Sequence, residues 1–168
     1  MKDNKHGFVK HPYEPVFNAH SKVLILGTIA SVASRKNGFY YTHPQNRFWK
    51  VLSAILNHDF PDTIDKKIDM LLSNNIAIWD VLQEAHISGS SDSSIKKPVP
   101  NDIQLILSKA NIKAIFTTGK KANELYNKLC YPKTNFKAVY LPSTSPANCA
   151  YTMDRLIDEY SVILEYLK

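Results

Sequence analysis

The chain has 168 residues, 44% of them apolar and 21% charged, which suits one globular domain and excludes a fibre or a wholly disordered chain. No run approaches the roughly 20 consecutive apolar residues of a membrane span, and the two cysteines, Cys130 and Cys149, lack ligand-like spacing, which argues against a disulfide framework, a zinc site or an iron–sulfur cluster. The net charge of +6 is unevenly spread: residues 1–50 carry eight basic and two acidic side chains and residues 91–140 nine and three, whereas 51–90 and 141–168 are net acidic, so a fold that joins the basic segments would offer one face to a polyanion.

Residues 1–20 have no apolar core and no small-residue cleavage site, so they predict an N-terminal arm on a single domain over 1–168 rather than a secretory leader. With the cysteine usage, this points to a cytoplasmic protein; a monomer is the expectation. KVLILG at 22–27 is a nearly continuous apolar run ending in Gly, the pattern of a buried parallel strand. Short runs at 77–79, 114–116 and 138–141 repeat it. Helical stripes lie between them: Phe48, Leu52, Ile55 and Leu56; Ile64, Ile68, Leu71 and Leu72; Ile103, Ile106, Leu107 and Ala110; Ala122, Leu125, Tyr126 and Leu129. A last helix carries Leu156, Tyr160, Ile163, Leu164 and Leu167, and Asn101–Asp102 after Pro100 predicts a helix start. Strands alternating with helices predict a three-layer α/β/α sandwich with a central, mostly parallel sheet of about four strands. Two segments, 28–45 and 83–100, read as long irregular loops after strands, where open α/β sheets bind ligands.

Four segments carry candidate chemistry. GTIAS at 27–31 follows the first strand, and its small residues let backbone amides face a ligand. GFYYTHPQNRFWK at 38–50 crowds Tyr40, Tyr41, His43, Gln45, Asn46 and Arg47 together, offering stacking faces and hydrogen bonds to a base, with Asn46 and Arg47 at a helix start that favours anions. A lone Asn in that place reads first as a plain helix cap. LPSTSPANCAY at 141–151 sets the hydroxyls of Ser143, Thr144 and Ser145 beside a stiff Pro146–Ala147 tip, suited to phosphate oxygens and to wedging a base step. FTTGKKANELY at 116–126, with Lys120 after its Gly, resembles a phosphate-binding turn but lacks P-loop spacing. Asp80 and Asp92 are further polar candidates near strand ends. No HExxH, GxSxG or CxxC is present, which argues against a Ser nucleophile and a metal hydrolase.

In these segments and in their order the chain resembles the uracil-DNA glycosylase superfamily over residues 22–167. GFYYTHPQNRFW is similar to a segment of the mismatch-specific uracil/thymine glycosylases. FYYTHPQNRFW with PSTSPAN resembles the hypoxanthine-DNA (deoxyinosine) glycosylases more closely. The resemblance implies an α/β/α fold and a monofunctional enzyme that hydrolyses the N-glycosidic bond of a deaminated base, hypoxanthine first, in double-stranded or single-stranded DNA, a reaction that calls for no metal or cofactor. It implies Asn46 as the catalytic amide orienting a water, and Thr28, Ile29, Ser31 and Tyr41 at the base, with Tyr41 stacking on it. Ser143, Thr144, Ser145, Pro146, Ala147, Asn148 and Lys120 would meet DNA. Ile29 stands where most of the superfamily has a catalytic Asp or Asn, and Ser143 where others have His or Asn; Thr28 and Ala30 replace a Ser and a Pro usual in the subfamily. A uracil or xanthine preference, a non-catalytic nucleic-acid-binding module of the same fold, and a hydrolase of free nucleosides are the alternative readings.

Overall fold

The computed structural model describes residues 6–10, 14–88 and 94–168. In chain order the strands are β1 (His6–Lys10), β2 (Val23–Gly27), β3 (Ile76–Asp80), β4 (Leu82–Ser88), β5 (Lys96–Pro100), β6 (Ala114–Thr118) and β7 (Ala138–Leu141). The helices are α1 (Val32–Asn37), α2 (Phe48–Ile55), α3 (Ile64–Ser73), α4 (Gln104–Lys109), α5 (Lys120–Leu125), α6 (Tyr131–Thr134) and α7 (Met153–Tyr160). A π-helical turn, Tyr126–Cys130, joins α5 to α6.

The central sheet has the order β3-β2-β6-β7 and every pairing in it is parallel. All residues of β2, β3 and β6 are buried, as both faces of a parallel sheet must be when helices cover them. β7 is the edge strand on the β6 side, and Val139 and Tyr140 stay 39% and 41% exposed. The chain steps from β2 to β3 in one direction and from β3 past β2 to β6 and β7 in the other. Right-handed crossovers therefore put α2 and α3 on one face and α4 and α5 on the other, with α7 packed against α2. This is the three-layer α/β/α sandwich that the sequence predicts. The reversal between β2 and β6 leaves a crevice at the strands' carboxyl ends. Register brings Gly27 beside Asp80 and Thr118 beside Leu141 at that edge.

Both expected irregular segments contain regular structure. Residues 28–45 include α1, capped by Ser31, whose Oγ accepts from the Ser34 amide at 3.1 Å, and closed by Gly38 at φ 76°. Residues 83–100 supply β4 and β5 of a second, antiparallel sheet of order β1-β4-β5. The first twenty residues contribute β1 to it. Lysines and Pro98 in β5, and register shifts along β4, hide these strands from a periodicity reading. Asp92, singled out above, lies outside the described residues. Asn101 does not cap a helix: it is buried, and its Nδ2 donates to the Asp80 carbonyl at 2.8 Å, fixing the end of β3.

Candidate active site

At the carboxyl ends of the parallel strands opens a cleft of about 840 Å3. Gly27 to Ser34 form one wall. Tyr40, Tyr41, His43 and Asn46 come from the HPQNRFW approach, Asp80 and Thr118 from the ends of β3 and β6, and Ser143 to Ala147 from the loop after β7. The segments 27–31, 38–50 and 141–151, far apart in the chain, thus meet at one place.

Asn46 sits just ahead of α2. Its Oδ1 accepts from the Phe48 amide at 2.9 Å and from the Thr144 hydroxyl at 2.8 Å. A backbone N–H can only donate, so the atom that meets it must be the carboxamide oxygen. The flipped rotamer is excluded on chemical grounds. With both oxygen lone pairs engaged, Asn46 has its Nδ2 donors left to offer, and no partner for them is found among the described residues. Asn46 is therefore both a helix cap and a lining group of the cleft. Of the carboxamide that was expected to orient a water, this network engages the oxygen and leaves the nitrogen. Thr144 is 2% exposed and donates inward, so it is Asn46's neighbour and not a phosphate-facing hydroxyl. Thr144→Val keeps the shape but removes the donor; a fall of about tenfold in kcat with little change in KM is expected, since small misplacements of a reacting group are costly, and steady-state kinetics check it.

Arg47 does not greet an anion either. Its guanidinium donates to the carbonyls of Tyr151, Ser145 (3.2 Å) and Asn148 (3.0 Å), and its amide to that of Thr144 (3.1 Å). It thereby clamps the whole 144–151 loop to the start of α2. Its Nε is buried and finds no partner among the described residues. Asn148 spans the same loop, donating from Nδ2 to the Ser143 carbonyl at 2.9 Å. Beneath it the Tyr160 hydroxyl donates to the Pro142 carbonyl at 2.6 Å; burial, and then the nearby Tyr41 and Tyr140, hold that phenol well above its usual pKa and keep it a donor. Arg47→Lys replaces a three-carbonyl fork by a point charge. A destabilisation of about 1.5–3 kcal/mol is expected, read by thermal melting, with faster amide exchange over 143–151.

Tyr41 adopts a left-handed backbone at φ 53°, uncommon for a residue with a side chain. One ring face stacks on Phe48 at 4.0 Å between centroids and 13° between planes. Its hydroxyl lies 2.9 Å from Thr118 Oγ1. So Tyr41 is a fixed wall of the cleft. Only its face away from Phe48 could take the base that was expected to stack on it. Asp80, 4% exposed, also lines the cleft. Both approach Gly27 so closely that a Cβ there would lie 2.5 Å from Asp80 Oδ1 and 2.8 Å from the Tyr41 hydroxyl. Absence of a side chain at 27 is what lets the carboxyl group and the phenol close over the end of β2.

Of the expected site residues, Thr28, Ile29, Ser31, Tyr41, Asn46 and Ser143 to Ala147 line the cleft, while Lys120 and Asn148 do not. Lys120 is exposed at the start of α5, after Gly119, whose φ of 95° favours a glycine. Ser143 and Ser145 accept from the amides of Ser145 and Ala147, which shapes the loop and leaves each hydroxyl a proton to donate. Sequence reasoning missed Thr118 and the clamp made by Arg47. Thr118 had one signal: it is a polar residue at the carboxyl end of a buried parallel strand. Among the described residues no cluster of His, Cys, Asp and Glu could hold a metal ion, and no helix is long and apolar enough to cross a membrane.

The profile of the Uracil DNA glycosylase superfamily matches residues 14–168. The chain belongs to the uracil DNA glycosylase superfamily. It is 31% identical over 117 residues to a hypoxanthine DNA glycosylase of Methanosarcina barkeri, covering 68% of this chain and 74% of the relative. To a hypoxanthine DNA glycosylase of Methanosarcina acetivorans it is 30% identical over 149 residues, 88% of this chain and 93% of that one. The solution NMR structure of a Methanosarcina acetivorans protein, described as a candidate uracil DNA glycosylase, superposes with a TM-score of 0.80 at 28% identity, covering 94% of this chain and 98% of the other. In this superfamily member Ile29 and Asn46 both line the cleft.

Proposed function

We propose that this superfamily member is a monofunctional DNA glycosylase that removes hypoxanthine from deoxyinosine sites, with water as the nucleophile. One observation carries the reading. The cleft holds a carboxamide whose oxygen is doubly anchored and whose nitrogen is left to act. The names of the two Methanosarcina relatives support the choice of base.

In this mechanism the target nucleotide leaves the stack and enters the cleft, at a cost lowest for a mismatched or damaged pair. The hydroxyls of Ser143 and Ser145 meet backbone phosphates, and the Pro146–Ala147 tip fills the gap in the stack. The exposed face of Tyr41 stacks on the base, and amides at Thr28 and Ile29 meet its carbonyl. An Asn46 Nδ2–H donates to one lone pair of a water, leaving another for C1′. The pair of electrons of the glycosidic bond leaves with the base, the water oxygen bonds to C1′, and its proton is delivered to the departing base. Amide donors lower the charge on that base as it leaves. Ile29 contributes shape only, which fits a base that needs less help in leaving than uracil.

A set of duplexes carrying one hypoxanthine, uracil or xanthine tests this. Hypoxanthine release leaving alkali-labile sites is the expected result. Strand scission without alkali would contradict the water mechanism, and tight duplex binding with no release from any base would favour the non-catalytic module. Pro146→Gly combined with Ala147→Gly is expected to slow release from well-paired sites about tenfold, and less from mismatches, because flipping a stacked pair costs a few kcal/mol; equal losses on both would remove the wedge.

A further inference from the structure

The antiparallel sheet β1-β4-β5 has an outward face that the mechanism above does not use. Directly opposite residues of neighbouring strands point to the same side. Phe8 stands opposite His86, and His86 opposite Lys96; further along β1, Lys10 stands opposite Glu84, and Glu84 opposite Val99. The intervening Val9 and Ala85 are buried, so these side chains face away from the core. Phe8 is 52% exposed and Val99 41%. The Phe8 ring meets His86 edge-on, with 5.6 Å between centroids and 62° between planes, a contact that steadies the ring while about half of it stays in water.

Lysines and a proline on β5 guard a sheet edge against strand pairing, but an open phenylalanine on the face does not. The sheet also joins the two basic segments of the chain. Lys10 comes from residues 1–50 and the exposed Lys96 and Lys97 from 91–140, against the carboxyl group of Glu84 between them. An exposed ring flanked by cations on an antiparallel sheet suits unstacked bases: the ring takes a base face and the ammonium groups take phosphates. Bases inside a duplex have both faces covered by their neighbours, so such a surface selects single strands. Like charges would oppose a second copy of the same face. The face also adjoins the cleft. Ile87, next after His86 in β4, and Ile95, just ahead of β5, line that cleft. Side chains alternate across a strand, so His86 and Ile87 put the face and the cleft on the two sides of one sheet. We infer that this face binds single-stranded DNA beside the cleft, with Phe8 stacking on a base and Lys10 and Lys96 holding phosphates. The inference rests on the glycosylase reading for its choice of polyanion, and adds a second DNA contact that serves lesions in unpaired strands.

Fluorescence anisotropy reads binding without turnover, using an undamaged oligothymidine of about 12 nucleotides and a duplex of equal length. Phe8→Ala is expected to weaken strand binding about tenfold, the scale of one stacked base, and Phe8→Trp to restore it. Lys10→Gln combined with Lys96→Gln is expected to lower the slope of log affinity against log salt by about 1.4, as two lost phosphate contacts on a single strand require. Duplex affinity of Phe8→Ala and its base release from duplexes should stay within about twofold of wild type, since paired bases offer the ring no face; this arm also shows that the variant is folded. Wild-type protein that ignores oligothymidine, Phe8→Ala that binds it as wild type does, or equal losses on strand and duplex overturn the inference. So does a wild-type dimer that Phe8→Ala splits with strand affinity unchanged, which would make the face a contact between copies. Weakened strand binding in Phe8→Ala, with no base release from any natural DNA by the wild type, would refute the glycosylase reading and leave the face standing. Base release with unaltered strand binding in the variants would do the reverse.

Discussion

Asn46→Ala is expected to lower the rate of hypoxanthine release at least about 1000-fold, the scale on which positioned groups act. Duplex affinity should change little, because Asn46 sits in the cleft wall and not on the 143–147 loop proposed to meet phosphates. The helix start contributes a separate, smaller loss, since Oδ1 also satisfies the Phe48 amide; removing a cap costs about 1 kcal/mol. Asn46→Asp separates the two roles. It keeps an oxygen for Phe48 and for Thr144 but exchanges the donor for an acceptor. Wild-type thermal stability with a rate at neutral pH lower by about 100-fold is expected if the amide nitrogen holds the water. An Asn46→Asp variant as fast as wild type would show that an acceptor does this work. Retained turnover in the alanine variant would remove Asn46 from the mechanism.

Gly27→Ala is the second large effect. The added Cβ would collide with Asp80 Oδ1 and with the Tyr41 hydroxyl. Neither has an easy retreat. Asp80 follows the register of β3, and Tyr41 is held by Phe48 on its ring and Thr118 at its hydroxyl. Overpacking of this kind costs about 1–3 kcal/mol. The activity loss should be larger than that stability loss suggests, about 100-fold, because a displacement near 1 Å in a positioned site carries that penalty. Melting temperature and single-turnover release, measured together, check both parts. A variant with wild-type turnover would mean that the carboxyl group and the phenol need not close over β2.

The sequence was most legible where burial dominates. β2, β3 and β6 are buried throughout because helices cover both faces, and the stripes from Phe48 and from Ile64 became α2 and α3. The second sheet was not legible. β5 reads KKPVP, polar and proline-bearing, and becomes a strand because β4 is there to pair with it. The site divides in the same way. HPQNRFW and PSTSPAN identified the two walls as sequences, yet suggested the wrong roles for Thr144 and Arg47. Both residue types bind phosphate when exposed. Here one donates to Asn46 and the other to three carbonyls of the facing loop.

By itself, then, the sequence determined the parallel α/β layering, the order of the chemical segments and the superfamily, because apolar periodicity and short motifs are local properties of the chain. Tertiary structure alone decided which atoms are left to react. Whether Asn46 offers oxygen or nitrogen depends on a backbone amide two residues on and a hydroxyl 98 residues away. Whether the Asp80 carboxyl group can lie against the end of β2 depends on a glycine in the neighbouring strand. Hydrogen-bond capacity is finite, and only the folded contacts show where it has been used.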